Sequence, residues 1–473
     1  MPVDLLLLLL VIFLLSTLVI FLCFLTKKAT NFREHAVGHR QFSTATIVAT
    51  IVACSCAAGL LRHGITYAYK GVSYIVYRIT IALFPLLVLS WLGGRMHKFI
   101  YHLSMPESMA SVYGPYARFI TALFEVCNTI IIVSLQIRII RDTVGLFIPL
   151  ANPLAITMLI TTLMVIYAMF GGARAIAFTD VWQCIVFSIL TVVLVWCVFK
   201  KSGKTMIEII DFVKAQKQFG LSNIIPSDRK VQTILDYLAN LVSSIGPFLV
   251  QYVYMCARPA QARKTCLYAG VFFTVVMASI MVVGLLVFVS FPDVPSRVIW
   301  DHFLSKASSP LKGVVCMIML SFAMSTVDSR LHVASIMLAY DIPKSIGCFR
   351  KFIHLHQVKV ARLGLFVLGL LTMVLAFNCP ISILSRILMW YARFYVPVII
   401  APFILAVLGF RTSSPFLVLI GMVTGLLSML AWRKWMVSIV GTSTGHVPCM
   451  LMNGLVMVIA HYLTSQHKIN SRP

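Results

Sequence analysis

The stretch LSFAMSTVDSRLHVASIMLAYDI, residues 320–342, places hydroxyl and charged side chains inside a run that is otherwise apolar enough to lie in lipid. An ionised Asp at the centre of a membrane helix costs roughly 2.5–3.5 kcal/mol, so such a residue usually faces a bundle interior or a water-filled cavity. Asp328 is therefore expected to lie inside a bundle of membrane-spanning helices.

The same stretch carries oxygen atoms on one helical face. Phe322, Ser325, Thr326 and Ser329 share a stripe at helical spacing, so the Phe322 carbonyl and the hydroxyl oxygens could converge on one point. Hard cations take oxygen ligands of this kind, which predicts a cation site. The alternative is that Thr326 and Ser329 donate back to carbonyls of their own helix, as Ser and Thr in membrane helices often do.

Composition defines the class of protein. The chain has 473 residues, of which 60% are hydrophobic and only 14 are Asp or Glu, and its mean hydropathy is +0.96. These values exclude an ordinary soluble globule and predict an all-α, polytopic membrane protein. The formal net charge is +25, but the basic residues lie mainly between apolar runs. They are interpreted as topology signals and contacts with anionic membrane lipids, with no nucleic-acid partner.

The apolar runs predict about thirteen transmembrane helices. Their expected bounds are 5–25, 44–61, 72–92, 119–149, 154–170, 175–199, 234–256, 267–291, 311–340, 360–377, 381–408, 416–432 and 447–463.

Small residues interrupt two of these spans near their middles, with ACSCAAG at 53–59 and SSIGP at 243–247. Pro247 lacks a backbone donor, so nearby carbonyls lose their helical partners and must face protein or a cavity. The two spans lie five apart, which predicts two five-helix blocks of opposite orientation with a central transport site. The alternative is that Gly and Pro are simply common in membrane helices.

This arrangement gives the expected domain boundaries. They are 1–42 for an extra helix and a cytoplasmic loop, 43–200 for the first repeat, 201–230 for an extracytoplasmic loop, 231–408 for the second, inverted repeat and 409–473 for two C-terminal helices.

Charges beside the first run predict the orientation. Asp4 precedes the run, whereas Lys27, Lys28 and Arg33 follow it. The positive-inside rule then places the N-terminus outside and, with an odd number of spans, the C-terminus in the cytoplasm. The expected location is the plasma membrane, specifically a bacterial inner membrane.

Asp180 lies in the segment GGARAIAFTDVWQ, residues 171–183. It could pair with Arg174 or act at an inner gate, and the alternative is that Thr179 or Asp180 caps the start of a helix. The sequence shows no pair of nucleophile and base, no phosphate-binding loop and no HExxH motif, so it does not predict an enzyme.

Four stretches together resemble the sodium/solute symporter family, which includes the sodium/proline symporter. They are LGGRMHKFIYHLSMPESMASVYG at 92–114, YAMFGGARAIAFTDVWQ at 167–183, GPFLVQYVYMCARPAQARK at 246–264 and SFAMSTVDSRLHVASIMLAYDI at 321–342. The resemblance implies a leucine-transporter-like core of two inverted five-helix repeats and Na+ as the coupling ion.

The resemblance also implies the ligands of that ion. By motif position they are the carbonyls of Cys54, Ala57 and Phe322, together with the hydroxyls of Ser325 and Thr326. The sodium/proline symporter has an Asp and a Ser where this chain has Cys56 and Ala58. That departure removes a charge but no backbone ligand, and it leaves proton-coupled or uncoupled transport as alternatives.

These observations predict a secondary active transporter that functions as a monomer and binds a small polar solute, such as a proline-like amino acid. The solute is expected between the second and seventh spans, with Asp180 and Asp328 acting in gating. The residues predicted to line the solute site are Ser55, Gly59, Ser243, Ser244 and Gly246. A receptor or scaffold derived from a transporter is the alternative from another functional class.

Overall fold

The helices of this chain were located in a computed structural model. It describes residues 31–147, 152–225, 230–243, 245–347, 350–412 and 414–470, and these contain helices but no strand. The predicted span 5–25 and the predicted solute residue Ser244 lie outside the described residues.

The helices are numbered in chain order. They are α1 (Phe32–Val37), α2 (Thr44–Ser55), α3 (Gly59–Ala68), α4 (Val72–Gly93), α5 (Met105–Tyr113), α6 (Pro115–Phe147), α7 (Pro153–Ser202), α8 (Met206–Ala215), α9 (Lys230–Ser243), α10 (Pro247–Met255), α11 (Pro259–Ser290), α12 (Ile299–Lys306), α13 (Ser309–Ile336), α14 (Ile342–Ile346), α15 (Arg350–Asn378), α16 (Ile381–Tyr395), α17 (Ala401–Val407), α18 (Pro415–Ala431), α19 (Val437–Val440) and α20 (His446–Asn470). Short π-helical turns, Met337–Asp341, Val396–Ile400 and Trp432–Met436, connect α13 to α14, α16 to α17 and α18 to α19.

The described residues contain ten helices that are long and apolar enough to cross a membrane. The pair α2 and α3, bent by 66° at its break, makes an eleventh span. The predicted count of thirteen is not confirmed. One of the other two predicted spans is 5–25, and the run 154–170 contains a shorter apolar helix, Thr157–Ile166.

Both predicted interruptions are present in the structure. Helix α2 ends at Ser55 because Cys56 adopts an extended conformation with φ −86° and ψ 103°, and α3 begins at Gly59. Gly246 is also extended, and Pro247 opens α10 at a position where a helix needs no backbone donor. Carbonyl groups near each interruption are therefore free to bind something other than their own helix.

Helix α7 joins two stretches that the sequence predicts as separate spans, with one non-helical residue at Gly172. Gly172 has a φ of +60°, a conformation that L side chains rarely adopt, and a Cβ there would lie 3.0 Å from His35 Nδ1. Glycine at this position lets α1 approach the α7 backbone closely.

Helix α13, which contains the stretch 320–342 up to Ile336, is the most enclosed span. In its most apolar window 83% of the residues are buried, compared with 22% for α4. It packs against α7, α6 and α15, while α2 packs against α7, α11 and α13. The polar face of α13 therefore lies in the middle of the bundle beside the interruption between α2 and α3.

Candidate cation site and solute cavity

Two hydroxyl groups of α13 face the carboxyl end of α2. The Ser325 hydroxyl donates to the Ala53 carbonyl at 2.8 Å, and the Thr326 hydroxyl donates to the Cys56 carbonyl at 3.0 Å. Both hydroxyls also lie near the Phe322 carbonyl, Ser325 at 3.2 Å and Thr326 at 2.9 Å. Five oxygen atoms from two helices thus converge at one place, here called the cation site.

The carbonyls in this cluster differ by one residue from the expected pair. The hydroxyls contact Ala53 and Cys56, whereas the family motif implies Cys54 and Ala57. The Ala57 carbonyl instead accepts a hydrogen bond from the Leu60 amide at 2.9 Å. Both pairs have the same spacing of three residues, and the observed pair ends at Cys56, where the helix unwinds.

The chemistry of this cluster suits Na+. All five oxygens are neutral and come from carbonyls or hydroxyls, and Ser325 and Thr326 are 0% and 3% exposed. Oxygen ligands suit hard cations, and a divalent ion usually recruits carboxylates as well. The back-bonding expected as the alternative is also present, since both hydroxyls approach the Phe322 carbonyl of their own helix.

The side chains that replace the family's Asp and Ser leave this backbone arrangement in place. Cys56 is fully buried and contributes its carbonyl to Thr326. The Ala58 amide donates to Gln136 Oε1 of α6 at 3.0 Å, so a residue on another helix holds the unwound segment.

A cavity of about 490 Å³ lies next to the cation site and is called the central cavity. Its wall includes Thr326 and the predicted residues Cys54, Ala57, Ser55 and Gly246. The volume is within the range of pockets that hold small organic ligands.

The other predicted solute residues are placed less directly. Gly59 begins α3 immediately before Leu60, which lines the central cavity. Ser243 is the last residue of α9, at the interruption that precedes α10. The cavity wall therefore includes parts of both interrupted spans.

Sequence reasoning missed the three charged side chains of this cavity, Arg78, Glu125 and Arg330. They lie in α4, α6 and α13, and Arg330 Nη1 is 3.5 Å from Glu125 Oε1. Each interrupts an apolar run, and a charge at membrane depth is itself a signal of a functional site. The membrane-depth signal that singled out Asp328 in the sequence could also have found these three residues.

The two predicted gating residues are both fully buried. Asp180 Oδ2 accepts a hydrogen bond from the Ser329 hydroxyl at 3.0 Å, and Asp328 Oδ1 accepts one from the Ser329 amide at 2.6 Å. Asp180 lies within α7 and does not cap its start, and Arg174 Nη1 lies 3.3 Å from Glu34 Oε1. Asp180 thereby links α7 to α13 one helical turn beyond Ser325.

Comparisons with known proteins agree with this geometry. The sodium:solute symporter family matches residues 35–425 of the chain. No curated protein matches it.

Three solved structures share the fold. A Na+-coupled sialic acid symporter, solved substrate-bound in an outward-open state, has a TM-score of 0.75 at 15% identity, covering 97% of this chain and 96% of that one. Mhp1 is a nucleobase-cation-symport-1 family transporter, solved in a closed conformation with bromovinylhydantoin bound. Its TM-score is 0.60 at 14% identity, and the match covers 89% of this chain and 93% of that one. MhsT in complex with L-phenylalanine has a TM-score of 0.50 at 12% identity, and the match covers 88% of this chain and 97% of that one.

The family match spans most of the chain, and the similar structures confirm the predicted all-α, leucine-transporter-like fold. The family and these neighbours are transporters and not enzymes. The chain is a multi-pass membrane protein that belongs to the sodium:solute symporter family, with Na+ as its coupling ion and a small solute as its substrate.

Proposed function

We propose that this chain moves a small polar solute through the central cavity together with Na+ bound by Ala53, Cys56, Phe322, Ser325 and Thr326. The observation that carries the proposal is the convergence of two α13 hydroxyls on two carbonyls of α2. A cation at this place would hold α2 and α13 together.

Coupling follows from the position of the two sites. Thr326 contributes to the cation site and also lines the central cavity. Cys54 at the end of α2 and Ala57 in the unwound segment line the cavity too, each next to a residue whose carbonyl belongs to the cation site. A solute in the cavity would therefore contact the same segment that the ion orders, and each would raise the affinity for the other. Alternating access then consists of closing and opening the two ends of the bundle around these sites.

The solute is proposed to have the size of an amino acid, with a proline-like compound as the candidate that the family resemblance suggests. The protein is proposed to work as a monomer in a plasma membrane, that of a bacterium, in contact with anionic lipids. A proton-coupled mechanism would need a titratable group, and the five oxygens of the cation site are not titratable at ordinary pH.

The test is uptake into proteoliposomes under a Na+ gradient, across a panel of small polar solutes. The double substitution Ser325→Ala with Thr326→Val removes two oxygens with little change in volume. It should raise the Na+ concentration for half-maximal uptake by about 10–100-fold, since an interaction with a charged group is worth roughly 1.5–3 kcal/mol. Saturating Na+ should restore much of the uptake.

The matched control is Ser321→Ala, one turn earlier on α13. Ser321 is also fully buried, but its hydroxyl donates to the Met317 carbonyl of its own helix at 2.9 Å. The Ser321→Ala variant should have the same Na+ concentration for half-maximal uptake as the parent. If the double variant and the parent need the same Na+ concentration, these oxygens do not bind the ion and the hydroxyls only satisfy their own helix.

A further inference from the structure

The charges on the wall of the central cavity do not balance. Arg330 is paired with Glu125, and the exposed fractions of the two side chains are 15% and 1%. Arg78 also lines the cavity, but it forms no ion pair within the described part of the chain. A cation at membrane depth without a counter-charge is costly, and such residues usually mark a substrate path.

The wall of the central cavity also carries hydrogen-bond donors that have no acceptor. Among the described residues, Arg78 Nε, Arg330 Nε and the Tyr391 hydroxyl are buried without a hydrogen-bond partner. All three belong to side chains that line the central cavity, and all three can donate. Two side-chain acceptors of the wall are already engaged, because Gln136 Oε1 accepts from the Ala58 amide and Glu125 is paired with Arg330. A ligand that supplies acceptors would satisfy these atoms.

A second pocket leads towards Arg78. It has a volume of about 550 Å³ and is called the tyrosine vestibule, since its wall includes Tyr67, Tyr74, Tyr77 and Tyr237. The Arg78 guanidinium lies 4.9 Å from the centre of the Tyr67 ring, so it sits at the boundary between the vestibule and the central cavity. Lys70 also lines the vestibule, with its ammonium 5.1 Å from the same ring. The vestibule wall thus carries one cation, Lys70, and one carboxylate, Asp236, and Arg78 follows at the wall of the central cavity.

We propose that the solute is a small organic anion, and that Arg78 binds its carboxylate at the mouth of the central cavity. The inference rests on the proposed transport function, and it replaces the proline-like amino acid, a zwitterion, by an anion of similar size. A planar guanidinium can donate two parallel hydrogen bonds to a carboxylate, and Tyr391 and Arg330 can donate to further oxygens of the same solute. One negative charge on the solute balances Arg78, which among the described residues is the cation of the cavity wall without an ion pair.

A zwitterionic amino acid fits this wall less well than a simple carboxylate. Its ammonium group would need a counter-charge, and Glu125, the carboxylate of the central cavity, is already paired with Arg330. A neutral sugar would leave the charge of Arg78 uncompensated. The comparison between an anion and its zwitterionic isostere therefore tests the proposal directly.

The experiment measures thermal unfolding of the purified full-length protein in nanodiscs, by tryptophan fluorescence, in NaCl and in KCl. The anionic probes are lactate, pyruvate, tetrahydrofuran-2-carboxylate and N-acetylneuraminate. Alanine and lactamide are the zwitterionic and neutral matches for lactate. Proline and tetrahydrofuran-2-carboxamide are the zwitterionic and neutral matches for tetrahydrofuran-2-carboxylate. A ligand that binds only the folded state raises the unfolding temperature. At least one anion should do so in NaCl, and its matched zwitterion and amide should not.

Substitutions then locate the binding group. Arg78→Gln should raise the anion concentration for a half-maximal shift by about 10–100-fold, the loss expected for a charge-assisted hydrogen bond. Arg78→Lys keeps the charge and should recover part of the affinity. The stabilisation by Na+ alone should be unchanged in both variants, which separates loss of anion binding from a folding defect. Arg95→Gln is the matched control, because Arg95 is exposed just beyond the end of α4 and stacks on Trp91.

Three results would overturn the proposal: no anion stabilises the protein, proline stabilises it more than tetrahydrofuran-2-carboxylate does, or Arg78→Gln binds the anion like the parent. If Arg78→Gln does not fold, the comparison of each anion with its zwitterion on the parent protein still shows whether the site prefers an anion. If the proposed cation site does not bind Na+, the result is different, because Na+ would then raise the unfolding temperature no more than K+ does. The effect of the anions on the unfolding temperature would in that case be measured in KCl.

Discussion

At the scale of single residues, Asp180 is the carboxylate that connects α7 to the polar face of α13. Its Oδ2 accepts from Ser329, while its Oδ1 has no hydrogen-bond partner among the described residues. Ser329 follows Ser325 by one helical turn, so a change at Asp180 reaches the cation site through the α13 backbone. This position suits a group that controls release of the ion.

We therefore expect Asp180→Asn to slow transport more than it weakens binding. The amide keeps the shape of the side chain and can still accept from Ser329, so equilibrium binding of the solute should stay within about threefold of the parent, a small change on the scale of one hydrogen bond. The initial rate of uptake should fall by about tenfold or more. Measuring binding and uptake on the same preparation separates the two effects.

Asp142→Asn serves as the comparison, because Asp142 is half exposed and pairs with Arg138 one turn away at 3.5 Å. It should leave both measurements unchanged. A normally folded Asp180→Asn protein with the parental uptake rate would show that Asp180 has no part in gating.

At the scale of helices, we expect α1 to close one end of the bundle. Glu34 Oε1 lies 3.3 Å from Arg174 of α7 and 3.6 Å from His39. The Ala36 carbonyl accepts from Gln251 of α10 at 3.3 Å, and His332 of α13 lies 3.5 Å from the same carbonyl. This short helix therefore contacts α7, α10 and α13, and we expect it to move before a solute can pass that end.

We expect Glu34→Gln to weaken this closure. Replacing the carboxylate removes its attraction for Arg174, which for a partly exposed pair is worth about 1 kcal/mol, or a roughly fivefold change in the open population. Hydrogen exchange of the amides in α1 should accelerate by that factor. Glu208→Gln at the start of α8, where Glu208 caps its own helix, should leave exchange in α1 unchanged. Equal exchange in the parent and Glu34→Gln would contradict a closing role for this ion pair.

The helices show which features can be predicted from the sequence. Apolar length located most spans, and glycine and proline located both interruptions, because these signals are local. The carbonyls that accept from Ser325 and Thr326 are those of Ala53 and Cys56, one residue before the pair that the family motif implies. The hydrogen bond from the Ala58 amide to Gln136, 78 positions away, was not predicted because it forms only in the folded bundle. The pairing of Arg330 with Glu125 was not predicted, because α6 and α13 meet only in the folded bundle.

At the scale of the whole molecule, several basic loops gather at one end. Arg40 donates to the Tyr254 carbonyl at 2.9 Å and to the His102 carbonyl at 3.0 Å, and Ser90 donates to the Arg263 carbonyl at 2.7 Å. These bonds bring together the segments that precede α2, follow α4 and follow α10. A concentration of positive charge at one end of a bundle is the feature that determines orientation in a membrane.

We predict that this end, with the segment 344–359, faces the cytoplasm, and that the N-terminus lies outside. Lys344 joins the same end, since its ammonium lies 3.1 Å from the Tyr340 hydroxyl, which contacts Glu107 of α5. A single cysteine at Lys351 in a cysteine-depleted protein should react with an impermeant maleimide only after intact cells are opened. A cysteine at Lys214, which lies in the oppositely placed segment 201–230, should react from outside. Labelling of position 351 in intact cells would contradict this orientation. The closure by α1 would then lie on the outer side of the membrane, and the tyrosine vestibule would be the route by which the solute is released.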